Sequence, residues 1–438
     1  MPNRFTDSVD AVYMLLFPGW ESSMRGNRWH WAKRWGLRKP TTLVIPDSER
    51  PFARPNVRRE ERLDGVRILH VQYREDPQLD VDVGLQQAAQ ICADMEDCRY
   101  SRPLLWAYDP TLAVACGAVP ASARVFHATE NFFAYDGLQK DFIPQLQASI
   151  AQADLVVAVS EGVAGGLRAN TVPAALAVVT NGVDNDDYAP TEPDPELSAL
   201  AAGRPVAIYA GNVNRRVDFE LVHEAVHRLP ETLFVFYGRT WFPPGVSDRA
   251  WKNIVAHDNV FFAGEVAPER LPALYSAAEV GLIPYTDDPL LVENGFPLKA
   301  LEMAATGLPV VSTYMKPIVG LASAIDVVRT HDEFLDALES RSRSALTEDE
   351  RAELRSACER NDYDVKFEDA LAALDAAVAA DAFPSTRLDP ALAIAGGRWS
   401  HRLARSVPAD GRSRQPAPLR PRSLQPFARR LRQRFGAR

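Results

Sequence analysis

The chain is poor in cysteine and lacks long apolar runs. Only four of its 438 residues are cysteine, and no two of them form a CxxC pair. This excludes a disulfide-stapled fold and indicates reduced thiols, as in the cytosol. No apolar segment reaches the roughly 18–20 residues of a transmembrane helix. The apolar stretch 11–20 follows acidic instead of basic residues and lacks a small-x-small cleavage site, which favours a buried strand over a signal peptide.

Positive charge is scarce in most of the chain and concentrated at its C-terminus. The net charge is −9, which argues against a general nucleic-acid binder, and we expect no nucleic-acid partner. Residues 384–438 hold 13 arginines and two aspartates, or +11, which leaves −20 on residues 1–383. The tail is rich in Arg, Pro, Ser and Gln, a composition typical of disorder. Within 424–438, apolar residues recur at helical spacing between arginines, so this segment fits an anionic membrane surface. A solvated, disordered tail is the alternative.

Short apolar, β-branched runs alternate with longer helical patterns. Each run is short enough for a strand and apolar enough to be buried on both faces, as in a parallel sheet covered by helices. The runs are 11–17, 42–45, 66–71, 104–108, 124–127, 155–159, 176–180, 206–210, 233–237, 260–263, 280–284, 309–313 and 325–329. The alternation predicts an α/β protein with two Rossmann-like, doubly wound domains and a cleft between them.

Changes in composition set the expected boundaries. Residues 1–184 form the first array and 205–365 the second. The proline- and acid-containing segment 185–204 is typical of a surface linker. Residues 366–383 are expected to form a C-terminal helix, followed by the tail.

The most informative segment begins at Asn294 and ends in a buried strand. Pro297 suits the first position of a helix, and Gly307 suits the left-handed position just after its end, so we expect a helix over about 297–306. Free N–H groups at the helix start, together with Lys299, make an anion site. Glu302 lies one turn later on the same side. This pattern suits a nucleoside diphosphate, with the cation on the phosphates and the carboxylate on the ribose hydroxyls. A capped helix with a surface Lys–Glu pair is the simpler alternative.

The same segment resembles the signature of the retaining family 4 glycosyltransferases, which have the GT-B fold. The shared features are Pro-Leu-Lys before Glu302, and a small residue followed by Gly-x-Pro-Val-Val. This variant is similar to teichuronic-acid-type glycosyltransferases of cell-surface polysaccharides. Five further segments are similar to the family in the same order: 104–110, 124–130, 154–160, 179–184 and 209–218.

The resemblance implies a set of donor-binding and catalytic residues. It places the nucleotide-sugar donor on Gly211, Gly295 and Glu302, and gives a diphosphate-gripping role to Arg216 and Lys299. Arg215 is adjacent to Arg216 and is an alternative for that role. Since fixed cations and a helix N-terminus would hold the phosphates, no metal or other cofactor is expected.

One position departs from the family pattern. The first glutamate of the signature, which contacts the donor sugar in the family, aligns with Asn294, and Glu293 lies one position too early. Either Asn294 hydrogen-bonds the sugar without a charge, or a shifted loop brings Glu293 into the site.

Two further groups of residues are candidates in the first domain. His127 ends a predicted strand at the edge where such sheets bind ligands, and the resemblance implies that it faces the donor sugar; a buried structural histidine is equally compatible. Arg25 and Trp29 lie in a segment that corresponds to an acceptor-binding loop and helix. Trp29, with the neighbouring tryptophans 31 and 35, could stack on sugars, or the helix could simply cover the sheet.

The segment His223-Glu224-Ala-Val-His227 matches the HExxH zinc-protease pattern. The motif is short enough to arise by chance, and no third ligand motif follows it. A zinc hydrolase is therefore a minor alternative.

The resemblance implies a glycosyltransferase that moves a sugar from a nucleotide-diphosphate sugar to a glycan or lipid-linked acceptor, with retention. We expect it in the cytoplasm; the membrane-binding interpretation of the tail would place it peripherally at the inner membrane face, whereas the solvated tail would not. A non-catalytic sugar-nucleotide-binding or scaffold protein is the principal alternative, because Asn294 replaces an acid.

Overall fold

A computed structural model describes residues 4–21, 25–47, 56–72, 83–135, 138, 142–242, 247–321, 324–344 and 346–380. The basic tail 384–438, with its predicted membrane-binding segment 424–438, lies outside the described residues. Within the described ranges, no helix is both long and apolar enough to cross a membrane.

Fourteen strands are described, in two sheets. They are β1 (Ala11–Leu15), β2 (Thr41–Asp47), β3 (Asn56–Arg59), β4 (Val66–Gln72), β5 (Pro103–Ala107), β6 (Ala123–Ala128), β7 (Leu155–Ala158), β8 (Leu176–Val178), β9 (Val206–Ala210), β10 (Leu233–Tyr237), β11 (Val260–Gly264), β12 (Val280–Ile283), β13 (Val310–Thr313) and β14 (Ile325–Val328).

Fifteen α-helices are described before, between and after these strands. They are α1 (Phe5–Ser8), α2 (Asn27–Arg38), α3 (Val83–Cys98), α4 (Ala113–Ala118), α5 (Phe142–Gln152), α6 (Glu161–Asn170), α7 (Pro195–Ala201), α8 (Phe219–Arg228), α9 (Arg249–Ile254), α10 (Leu271–Ser276), α11 (Pro289–Asn294), α12 (Leu298–Ala305), α13 (His331–Arg343), α14 (Glu348–Glu359) and α15 (Tyr363–Ala379). Short 3₁₀ turns span Pro110–Leu112, Phe132–Ala134, Pro268–Arg270 and Lys316–Leu321.

Both sheets are doubly wound, as the sequence predicts. The first has the order β3-β4-β2-β1-β5-β6-β7-β8, and the second β11-β10-β9-β12-β13-β14. Neighbouring strands are parallel except for the β3–β4 pair. In each sheet the strand order reverses beside the first strand, at β1 and β9. Ligands of such folds bind at this reversal, outside the carboxyl ends of the strands.

All thirteen apolar runs of the sequence form strands. The expectation of burial on both faces fails at β8, β11 and β14, which lie at the sheet edges and are partly exposed. The central strands β1, β5, β9 and β10 are buried at every position. Two tryptophans of α2 are buried against the first sheet. Trp31 and Trp35 are each 1% exposed, and both contact Trp106 of β5. Helix α2 therefore covers the sheet, which is the simpler of its two interpretations.

Two elements of the fold were not expected from the sequence, strand β3 and helix α7. Strand β3 pairs antiparallel with β4. The segment 185–204, expected as a surface linker, contains helix α7 and contributes Tyr188 and Leu197 to the core of the second domain, each 2% exposed. Apolar residues at helical spacing inside a proline- and acid-containing stretch account for this difference.

The chain crosses between the domains twice, and the two crossings pair side by side. The Val183 N–H donates to the carbonyl of Asn361 at 3.0 Å, and the Tyr363 N–H donates to the carbonyl of Val183 at 2.9 Å. Helix α15 begins at Tyr363, three residues before the expected start. It packs on the first domain through Phe367, Leu371 and other buried residues. The C-terminal helix thus returns to the domain in which the chain began.

Asp184 connects the first crossing to helix α2. It is 4% exposed and accepts hydrogen bonds from His30 Nδ1 at 3.0 Å, Lys33 Nζ at 3.1 Å and Arg34. Burial alone would raise the pKa of Asp184, but the hydrogen bond from His30 and the charge of Arg34 hold that pKa well below its usual range. Arg34 also contacts Asp364 of α15, so one guanidinium joins both crossings.

Substitution of Asp184 should weaken the whole molecule. Asp184→Ala leaves the buried Arg34 and His30 without their carboxylate, which costs about 3–5 kcal/mol. Asp187→Ala is the matched control, since Asp187 is partly exposed and pairs with Lys33 and Arg25 near the surface, so its loss changes the free energy of unfolding by about 0–1 kcal/mol. Urea denaturation should show a much lower midpoint for the first variant alone. Equal midpoints would contradict this assignment.

Candidate functional site

Helix α12 begins beside the strand reversal of the second sheet. The sequence predicted Pro297 as the first helical residue. In the structure Pro297 is the N-cap, with φ −71° and ψ 124°, and the helix begins one residue later at Leu298. Gly307 adopts φ +79° after the helix, as expected. Leu301 and Ala305 are buried against the second core, whereas Leu298 packs toward the first domain. The helix start is therefore held between the two domains.

Lys299 reaches from the first turn of α12 toward the end of β9. Its Nζ lies 3.7 Å from the ring centroid of Tyr209 and 5.5 Å from that of Tyr285. A cation over the faces of two rings is held by their quadrupoles, so the position of the ammonium is fixed. The positive charge consequently stands at the switch point of the sheet.

Gly211 follows β9 directly and makes room for this ammonium. Its φ is +146°, and a Cβ atom at this position would collide with Lys299 Nζ. Glycine is required here both for the backbone conformation and for the close approach of the side chain. The structure thus brings together Gly211 and Lys299, two residues that lie 88 positions apart in the sequence.

Glu302 lies one turn further along α12, deep in the same cleft. It is 9% exposed, and the hydroxyl of Tyr188 donates a hydrogen bond to it. Burial raises the pKa of Glu302 to about 7, although the charge of Lys299 and the hydrogen bond from Tyr188 oppose the shift. The carboxyl group is thus poised between its neutral and charged forms near neutral pH.

Gly211, Lys299, Glu302 and Tyr188 line a cavity of about 650 Å³ between the two domains. Four of the predicted site residues of the second domain form one wall: Gly211, Arg216, Lys299 and Glu302. The first domain contributes Arg25, Arg28 and Asn27 to the opposite wall. A cleft with cations, a carboxylate and the N-terminus of a helix can hold an anionic ligand that also carries hydroxyl groups.

A second cavity of about 330 Å³ adjoins the first and shares Arg216 and Tyr285 with it. It is lined by Asn294 and Gly295, whereas Glu293 is not among its lining residues. Glu293 is instead exposed and pairs with Lys316 Nζ at 3.0 Å. Of the two alternatives for the signature's first position, the structure places Asn294 at the cleft and turns Glu293 away.

The structure does not place His127 at the surface of the cleft. The residue is 1% exposed, accepts a hydrogen bond from Trp106 Nε1 at 3.2 Å and stacks on Tyr108 at 4.8 Å. Burial lowers the pKa of His127 to about 3, and the positive charge of Arg28 adds to this shift. The imidazole is therefore neutral and belongs to the aromatic core, which corrects its predicted contact with a ligand.

Trp29 is also a correction, while Arg25 is not. Trp29 is 5% exposed and packs from α2 into the core of the first domain, so its ring is not available for stacking on a sugar. Arg25 lines the large cavity, lies over Trp29 at 4.9 Å and bonds Glu269 of the second domain at 2.8 Å. One of the two acceptor-side candidates thus faces the cleft.

The HExxH residues lie outside both cavities. His223 and His227 are exposed on α8, and Glu224 pairs with His331 Nδ1 at 3.5 Å. A hydrolase of this class needs the glutamate beside the metal-bound water. Here the carboxylate is paired with His331, which does not support the zinc-hydrolase alternative.

A series of hydrogen bonds through two asparagine side chains links the domains at the cleft, and the sequence analysis did not predict it. Tyr108 donates from its hydroxyl to Asn27 at 3.1 Å, Asn27 donates to Asn181 at 2.8 Å, and Asn181 donates to the carbonyl of Phe296 at 2.9 Å. Phe296 immediately precedes the N-cap of α12. Nothing in a linear pattern indicates a hydrogen bond from Asn181 to a residue 115 positions away.

Gly211→Ala should remove anion binding by displacing Lys299. Gly203→Ala is the matched control: Gly203 also has a positive φ, +85°, but nothing lies within 4 Å of its added Cβ. Both variants suffer backbone strain, and only the first moves the ammonium. Calorimetric titration with inorganic pyrophosphate should show affinity at least about tenfold weaker for Gly211→Ala than for Gly203→Ala. Equal affinities would show that Lys299 does not form the anion site.

Residues 204–342 match the family model described as glycosyl transferases group 1. Two curated proteins are similar to parts of the chain. The putative teichuronic acid biosynthesis glycosyltransferase TuaH of Bacillus subtilis is 27% identical over 137 residues, 31% of this chain and 33% of that protein. The α-maltose-1-phosphate synthase of Mycolicibacterium smegmatis is 28% identical over 163 residues, 34% of this chain and 42% of that protein. The chain thus matches less than half the length of either relative.

Solved structures are similar over most of the chain. Sucrose-phosphate synthase from Thermosynechococcus elongatus has a TM-score of 0.57 at 15% identity, over 91% of this chain and all of the other. The Escherichia coli trehalose-6-phosphate structure with bound UDP-2-fluoro glucose has a TM-score of 0.59 at 13% identity, over 84% of this chain and 99% of the other. Anabaena HepE, in complex with UDP and glucose, has a TM-score of 0.58 at 16% identity, over 84% of this chain and all of the other. The chain therefore has the GT-B fold, and residues 204–342 of its second domain are similar to the glycosyl transferases group 1 family.

Proposed function

We propose that this chain is a retaining glycosyltransferase that moves a sugar from a nucleotide-diphosphate sugar to a glycan or lipid-linked acceptor. The observation that carries the proposal is the convergence of Gly211, Arg216, Lys299 and Glu302 on one interdomain cavity. The family of residues 204–342 and the similarity to TuaH support the same class of reaction.

The chemistry of the donor fits the order of groups along the cleft. The diphosphate lies against Lys299, Arg216 and the N-terminus of α12, where a full charge and backbone N–H groups favour an anion. The ribose hydroxyls donate to Glu302, one turn deeper. The transferred sugar then extends toward Asn294 and Gly295 in the adjoining cavity. HepE, whose fold is similar, is described in complex with UDP-glucose.

The reaction breaks the bond between the anomeric carbon and a phosphate oxygen. Negative charge grows on the departing nucleoside diphosphate, and the fixed cations Lys299 and Arg216 stabilise it. This arrangement supplies the neutralisation that a divalent metal provides in other phosphate-transfer sites, so the proposed reaction proceeds without one. Closure of the two domains would exclude water and prevent hydrolysis of the donor.

The acceptor enters from the first domain. Arg25 and Arg28 line that wall of the cleft, and two guanidinium groups suit an acceptor that carries an anionic group. The name of TuaH supports a role in cell-surface polysaccharide synthesis. With the basic composition of residues 384–438, these features favour work on a lipid-linked acceptor at the cytoplasmic membrane face.

A non-catalytic sugar-nucleotide-binding protein is the second candidate. The position of Asn294 favours it, because an amide replaces the carboxylate of the family signature at the cavity that would hold the sugar. The two candidates differ in turnover but not in binding of the donor.

Turnover separates them. Nucleoside diphosphate release from a panel of nucleotide sugars, with a pool of lipid-linked acceptors, should be measured for the wild type, Lys299→Ala and Arg216→Ala. We expect rates at least about 100-fold lower in both variants, because each removes a positive charge that stabilises the departing nucleoside diphosphate. Lys316→Ala is the matched control, since Lys316 is exposed and pairs with Glu293 outside both cavities. Donor binding without release in the wild type would favour the second candidate, and full activity of Lys299→Ala would contradict the site.

Donor affinity should rise with pH. The charged form of Glu302 accepts two ribose hydroxyls, and its pKa of about 7 means that the charged fraction grows roughly tenfold between pH 6 and pH 8. Titration with UDP-glucose should follow this increase in the wild type. Glu302→Gln should bind more weakly, with an affinity that does not change over this range. The same pH dependence in both proteins would assign the titration to another group.

A further inference from the structure

Three histidines cluster on the surface of the second domain, outside the cleft. His223 and His227 are one turn apart on α8, and His257 lies in the turn between α9 and β11. Each ring offers one nitrogen, and these three nitrogens lie within 4.8 Å of one another. The sequence motif contains only two of the three; the fold supplies the third.

Two backbone hydrogen bonds fix the position of His257. Its N–H donates to the carbonyl of Ile254 at 3.2 Å, and its carbonyl accepts from the Val260 N–H at 3.0 Å. The residue precedes β11, so it stands at the edge of the sheet opposite the carboxyl ends of the strands, where the proposed donor site lies. None of the three histidines lines either cavity of the cleft.

The orientation of His227 is suited to metal binding. Its Nδ1 lies 2.9 Å from the backbone carbonyl of His223. A carbonyl only accepts hydrogen bonds, so Nδ1 carries the proton and Nε2 keeps its lone pair. Metal-binding histidines commonly have this arrangement, in which a bond at one ring nitrogen fixes the other as the ligand.

We propose that His223, His227 and His257 bind a divalent transition-metal ion of the zinc class, with the remaining coordination position open to solvent. Imidazole nitrogen is a ligand that Zn²⁺, Ni²⁺ and Cu²⁺ share. A tetrahedral ion with bonds of 2.0–2.1 Å needs ligand nitrogens about 3.3 Å apart. The rings of His223 and His227 are exposed, with centroids 4.2 Å apart, so small rotations close the remaining distance.

The bound ion would join α8 to the turn before β11. It would not act as a hydrolytic centre, because Glu224 pairs with His331. An ion that binds only the folded arrangement stabilises it by mass action. The site therefore strengthens the second domain from the side opposite the cleft, without taking part in chemistry there.

Metal binding to the full-length, tag-free chain tests the proposal. Titration with Zn²⁺ against a competing chelator should show one equivalent bound per chain and a higher melting temperature. His227→Asn and His257→Asn should each weaken binding at least about 100-fold, since loss of an outer-shell partner alone weakens it 10–100-fold. His331→Asn, which removes a histidine bonded to Asp218, should bind as the wild type does.

The unmodified chain provides a second measurement that needs no variant. Its Cu²⁺ complex should show an electron paramagnetic resonance signal split by three imidazole nitrogens. The proposal is overturned by the absence of saturable one-equivalent Zn²⁺ binding, by equal losses in His331→Asn and His257→Asn, or by a Cu²⁺ signal with fewer than three nitrogens.

Discussion

The buried carboxylate of Asp184 holds the two domains in the arrangement on which the cleft depends. It accepts hydrogen bonds from three basic side chains of α2 at the point where the chain leaves the first domain. Arg34, one of the three, also contacts the returning chain at Asp364. Because a buried carboxylate without these partners would be strongly destabilising, the crossings cannot separate from α2 at low cost. The carboxyl ends of both sheets consequently face each other across one space.

Within that space, the geometry of the site follows from a few close approaches. The missing side chain of Gly211 admits Lys299, and two aromatic rings hold the ammonium there. The same helix buries Glu302 far enough to raise its pKa to about 7. A single helix thus places a cation and a titratable acid in the order that a diphosphate and a ribose require. The proposed function rests on this order more than on any one residue.

Much of the fold can be predicted from the sequence, because the same pattern of apolar runs and helical segments recurs many times. Each buried strand is a run of apolar residues, and the alternation with helices repeats through both domains. The start and end signals of α12, Pro297 and Gly307, lie next to the helix in the sequence. Its bounds are therefore predicted within one residue. Strand β3 lacks an apolar run, and the helix after Asp194 is obscured by prolines and acids; both were missed for that reason.

The site is only partly predictable, because side-chain burial depends on distant contacts. Lys299, Glu302 and Arg216 belong to a motif and reach the cleft. His127 and Trp29 occupy suggestive positions at a strand end and on a helix, yet both are buried. His127 lies among aromatic rings, and Trp29 packs beside His30 under two basic side chains. The partners Tyr188 and Asn181, and the third histidine His257, come from sequence positions far from the groups they meet. No local pattern indicates them.

The central claim is that the cleft binds a nucleotide-diphosphate sugar through Lys299. The most direct measurement is a thermal-shift titration of the full-length chain with uridine, guanosine, adenosine and thymidine diphosphate sugars. At ligand concentrations far above the dissociation constant, at least one donor should raise the melting temperature by about 3 °C or more in the wild type and not in Lys299→Ala. A panel that leaves the wild type unchanged, or shifts both proteins equally, would contradict the account.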